Sequence, residues 1–93
     1  MIVNVMTVKL HSPWVHSLKE KRMIMKSLCE KLRNKFNVSV IESDAQDVHQ
    51  TIMISIAFLS YQTAMADSMS EAIQSFIERS TDAEIVDFSV EKI

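Results

Sequence analysis

The chain has 93 residues and no glycine among them. That absence excludes the glycine-rich loops that cradle phosphates in nucleotide-binding folds. It also excludes the glycine pair with which KH domains clamp RNA. There is one cysteine, Cys29, so neither an internal disulfide nor a cysteine-rich zinc site can form. No apolar run reaches membrane-spanning length, and the N-terminus lacks the charged region and cleavage pattern of a signal peptide, so a cytoplasmic address is expected. Bases are scarce in the second half: from residue 40 onward, ten acids face only Arg79 and Lys92.

Positive charge gathers earlier. Ser17 to Phe36 (SLKEKRMIMKSLCEKLRNKF) holds seven of the ten Lys and Arg residues. At about 100° per residue, Leu18, Met25, Leu28, Cys29, Leu32 and Phe36 share one broad arc, with Ile24 at its edge. Lys19, Arg22, Lys26 and Arg33 share a narrower arc beside it, with Glu30 at its flank. The pattern predicts an amphipathic helix with one dry and one cationic face. Ser17 and Glu20 have capping-box spacing, and Asn34 or Asn37 is the candidate left-handed exit. Cys29, on the dry arc, reads as a buried thiol rather than a nucleophile. Lys19, Lys21 and Arg22 crowd the positive end of the helix dipole, an unfavourable placement that suggests those cations are used.

The remaining pattern is mostly strands. Residues 1–10 (MIVNVMTVKL) are rich in Val and Ile. Pro13 breaks the loop 11–16 away from that strand. Residues 38–44 form a short strand, 45–48 a polar connection, and 49–60 the most apolar strand. Residues 62–80 repeat a helical pattern with a neutral to acidic surface, and 84–93 alternate as a final strand. The order is β-α-β-β-α-β, and the apolar share of 47% suits one packed domain over 1–93. The fold expected is α+β and ferredoxin-like: an antiparallel four-stranded sheet with both helices on one face. Strands 1–10 and 49–60, apolar on both faces, belong in the middle. The expected helix-facing core is Ile2, Met6, Val8, Ile52, Ile54, Ile56, Phe58, Val86, Phe88 and Val90.

The other sheet face would carry Val3, Val5, Met53, Ala57 and Leu59 with no helix over it. A patch of that kind usually buries against a partner, and a second copy of the chain is the commonest one. A homodimer through this face is therefore expected.

Candidate chemistry is sparse. His11 and His16 flank the Pro-Trp loop, but a spacing of five matches no specific metal motif. Asp44, Asp47 and His49 surround one hairpin without the glycine and terminal Glu of a calcium loop. No Ser-His-Asp order, paired carboxylates or His-Glu zinc pattern stands out. These features assign no catalytic residue, metal or cofactor and point away from an enzyme. Trp14 reads as a cap on the core, with stacking on a base or partner as its other role.

The expected nucleic-acid contacts are Lys19, Lys21, Arg22, Lys26 and Arg33, with His11, Trp14 and His16 as candidate loop contacts. RNA-recognition modules of the same element order stack bases on sheet aromatics, which the central strands here lack. Any RNA contact should fall to the first helix, neutralising about three phosphates in a salt-sensitive, sequence-poor manner. The competing expectation is a dimeric regulatory or scaffold module binding a protein or small anion and no nucleic acid.

Four segments carry a family resemblance. They are Leu10-His11-x-Pro13, Ser17-Leu18-Lys19-x-Lys21-Arg22, Leu32-Arg33-x-x-Phe36-Asn37-Val38-Ser39-Val40, and the hairpin with Glu42, Asp44, Gln46 and Asp47. Together they resemble the YlxP-like family of small bacterial proteins, nearly end to end. The resemblance implies a ferredoxin-like domain of this length. Members are commonly encoded beside transcription-elongation and translation-initiation genes, which implies an RNA- or ribosome-associated role. Members often carry glycine in the first strand and before the helix, where this chain has Asn4 and His16.

Overall fold

A computed structural model describes residues 1–44, 48 and 50–93, apart from the side chain of Asp44. The elements are β1 (Ile2–His11), α1 (Leu18–Lys35), β2 (Ser39–Asp44), β3 (Thr51–Ser60), α2 (Thr63–Ser80) and β4 (Glu84–Lys92). The strands form one antiparallel sheet in the order β2-β3-β1-β4. The two most apolar strands are central, and the two helices pack on one face in the ferredoxin-like arrangement.

Period-two alternation builds the sheet. On β1, Asn4, Met6, Val8 and Leu10 are buried; their β3 neighbours Phe58, Ile56, Ile54 and Ile52 are buried beside them. The helices close this layer with Leu28, Cys29 and Leu32 from α1 and Ile73 and Ile77 from α2. Phe36 and Phe76 meet edge to face, with ring centroids 5.5 Å apart, and link the C-terminal end of α1 to α2.

The cap of α1 is half the expected box. Ser17 Oγ accepts from the Glu20 amide at 3.1 Å, but Glu20 Oε2 accepts from the His16 amide at 3.2 Å, one residue earlier than a reciprocal box requires. The exit also differs from expectation. Asn34 lies within the helix, and Phe36 ends it in extended conformation (φ −126°, ψ 152°) while donating its N–H to Leu32.

The final strand corrects the expected core. Lys9 lies opposite Asp87 and Leu10 opposite Ile85, so Val86 is an extra residue in a β-bulge. The bulge shifts the alternation by one. Ile85 and Phe88 pack against the core, whereas Val86 is 49% exposed. Val90, opposite Met6, remains partly open to solvent at the sheet edge. Asn4 is wholly buried among the apolar residues, donating to Ser60 Oγ at 3.0 Å and to the Phe58 carbonyl at 3.3 Å.

Candidate nucleic-acid interface

The β2 strand is an outer strand of the sheet, and α1 lies alongside it. Helical phase turns the dry arc of α1 inward. The adjacent arc then projects over the free edge of β2. Arg22, Lys26 and Arg33 line a shallow groove of about 430 Å³ there with Met25, Cys29, Ile41 and one acid, Glu42, whose carboxylate lies 3.0 Å from Lys21 Nζ. Arg33 Nη2 donates to the Val40 carbonyl at 2.8 Å, which fixes its guanidinium over the strand edge. Lys19, Arg22, Lys26 and Arg33 are all exposed. Among the described residues, none of the four has a carboxylate oxygen within 4.0 Å. Unpaired cations on one helix face are available to an external anion.

Lys21 does not belong to this set. It is 1% exposed, with Nζ 3.0 Å from Glu42 Oε2 and 2.9 Å from the Val48 carbonyl. Its place on the helix explains why: it precedes Met25 by four residues and Leu28 by seven, so it lies in the middle of the dry arc. That phase was visible in the sequence. A lysine there must either disrupt the core or find a buried acid, and Glu42 points inward from β2 to meet it.

Trp14 also departs from its expected role. Val15 is fully buried, while Trp14 is 44% exposed. Trp14 lines a second groove of about 340 Å³ with Met23, Ile24 and Ser27 of α1 and Thr81 and Asp82 after α2. Sequence reading missed this groove. The available signal was Met23, an apolar residue on the solvent side of the helical projection.

The remaining loop candidates are less constrained. His11 is the half-buried last residue of β1, and His16 is exposed just before α1. Among the described residues, no group of three His, Cys, Asp or Glu side chains is placed to hold a metal ion. Of the Asp44, Asp47 and His49 candidate, the Asp44 side chain and all of Asp47 and His49 lie outside the described residues, as do Ala45 and Gln46. Cys29 is buried, and burial pushes its thiol pKa up; Glu42 adds to the rise and Arg33 opposes it. The thiol is therefore protonated at neutral pH. No helix among the described residues is long and apolar enough to cross a membrane.

Residues 3–90 match the family described as protein of unknown function (DUF503). The chain belongs to this family. It is also 36% identical over 62 residues to the Bacillus subtilis (strain 168) protein described as uncharacterized protein YlxP, covering 67% of each chain. The chain is thus YlxP-like, as the resemblance implied. A crystal structure of the Arabidopsis thaliana protein At3g17210, refined as an ensemble, aligns with a TM-score of 0.49 at 11% identity. It covers 98% of this chain and 92% of the other. At that identity no residue's role transfers.

Proposed function

We propose that the chain is a non-enzymatic accessory protein that contacts RNA or a ribonucleoprotein, in association with translation, through the basic face of α1. The observation carrying this reading is the groove beside β2, where Arg22, Lys26 and Arg33 converge and lack carboxylate partners among the described residues. Lys19 extends the same arc toward the start of the helix. Lys21 is not part of the contact, because its charge is committed to Glu42 inside the protein. Four exposed cations supply a sequence-independent hold on phosphates, weakened by salt. The acidic second half of the sequence repels a polyanion and confines it to this ridge.

The test is the triple variant Lys19→Glu, Arg22→Glu, Lys26→Glu. All three side chains are exposed, so the protein should fold. It should lose co-sedimentation with RNA or ribosomes at low salt. Undiminished co-sedimentation would count decisively against the proposal.

A second reading, a dimeric scaffold that binds no nucleic acid, is favoured by the helix-free sheet face. Val3 and Leu59 are cross-strand neighbours there, Ile41 extends the face onto β2, and all three are more than a third exposed. Light scattering combined with an RNA-binding assay separates the readings: a dimer indifferent to RNA supports the scaffold.

A further inference from the structure

Two strips lie side by side on the solvent side of α1. One is the cationic arc that includes Lys19 and Lys26. The next holds Met23 and Ser27, which line the second groove together with Trp14. Met23 falls between Lys19 and Lys26 in sequence and is 65% exposed. The Trp14 indole and Met23 thioether form apolar walls. The Ser27 and Thr81 hydroxyls and the Asp82 carboxylate add polar groups. Apolar walls with a few convergent polar groups suit a flat ligand with hydrogen-bonding edges. The indole is 44% exposed, whereas its neighbour Val15 is fully buried.

We propose that this groove is a nucleobase subsite for single-stranded RNA lying along α1. The inference rests on the RNA reading above and adds strandedness to it. One base stacks on Trp14, while the neighbouring phosphates lie against Lys19 and Lys26. The Asp82 carboxylate accepts from a base N–H or a ribose 2′-hydroxyl. Its charge also repels phosphate from the groove, so the backbone stays on the cationic strip. A duplex meets the cations but keeps its bases stacked inside, leaving none to occupy the groove. Stacking on one aromatic tolerates any base, so the subsite selects strandedness without selecting sequence.

Trp14 is the only tryptophan, so emission excited selectively from tryptophan, and not from Tyr61, reports on this groove alone. The experiment titrates the full chain at low salt with a mixed-sequence RNA of roughly a dozen nucleotides, single-stranded and then annealed to its complement. Single strands should quench the emission and the duplex should not. Trp14→Ala should weaken single-strand binding by roughly tenfold and leave duplex binding unchanged. Trp14→Phe should recover part of the loss. Circular dichroism checks that both variants fold. Single-strand binding that leaves emission and Trp14→Ala affinity unchanged overturns the subsite while the cationic face stands. Failure of the wild-type chain to bind either RNA overturns the RNA reading, and the subsite with it.

Discussion

Lys21 Nζ lies 3.0 Å from Glu42 Oε2, with the lysine side chain 1% exposed and the glutamate 13%. This buried ion pair joins α1 to the outer strand β2. Glu42 Oε2 receives no aligned hydrogen bond among the described residues, so proximity of opposite charges holds it rather than hydrogen-bond direction. Burying two charges offsets much of their attraction, so the intact pair adds little net stability. Removing one partner leaves the other charged in a dry setting. Lys21→Met should therefore destabilise the fold by about 3–5 kcal/mol in urea denaturation. The double variant Lys21→Met, Glu42→Leu should recover most of that loss. A single variant as stable as wild type would show that the pair is not buried as described.

The raised thiol pKa of Cys29 makes stability pH-dependent. The ordinary value is 9.0, and the folded value lies above it, chiefly because of burial. Below 9.0 both folded and unfolded chains keep the proton, and the contribution is fully present. As pH rises through and beyond that value, the unfolded chain releases its proton first. Stability then falls with rising pH until the folded pKa is passed, above which the contribution is fully lost. Urea denaturation at pH 8 and pH 10 should show a steeper alkaline loss for wild type than for Cys29→Ala. Folded wild-type protein should also react slowly with iodoacetamide. Equal pH slopes for the two proteins would contradict the buried thiol.

The bulge in β4 predicts a contrast between adjacent residues. Val86 is 49% exposed, whereas Ile85 packs against the core. Val86→Thr should change stability by no more than about 0.5 kcal/mol. Ile85→Thr should be clearly destabilising, because it places a hydroxyl where apolar packing is lost. Equal losses in chemical denaturation would argue for unbroken alternation along β4.

Most of the fold was legible because each element carries its period openly. Ile52, Ile54, Ile56 and Phe58 announce a buried strand face, and Leu28 and Leu32 a buried helix face. Val86 was misplaced because alternation in one strand says nothing about a bulge opposite Lys9 and Leu10. The candidate site was only partly legible. Arg22, Lys26 and Arg33 lie at related helical phases and line one groove, as the projection implied. Lys21 falls between the phases of Leu28 and Leu32, so its position on the helix, and not its charge, decides its burial. Its partner Glu42 is on another element, and that pairing requires the tertiary fold. Likewise, nothing local to Trp14 indicates that Thr81 and Asp82 come to face it.

The most direct test of the cationic face of α1 is the salt dependence of RNA binding. For single strands, the logarithm of the binding constant falls with the logarithm of salt concentration by about 0.7 for each phosphate contacted. Three or four contacts from Lys19, Arg22, Lys26 and Arg33 predict a slope of roughly −2 to −3. A slope near zero, or no detectable binding at low salt, would contradict the account.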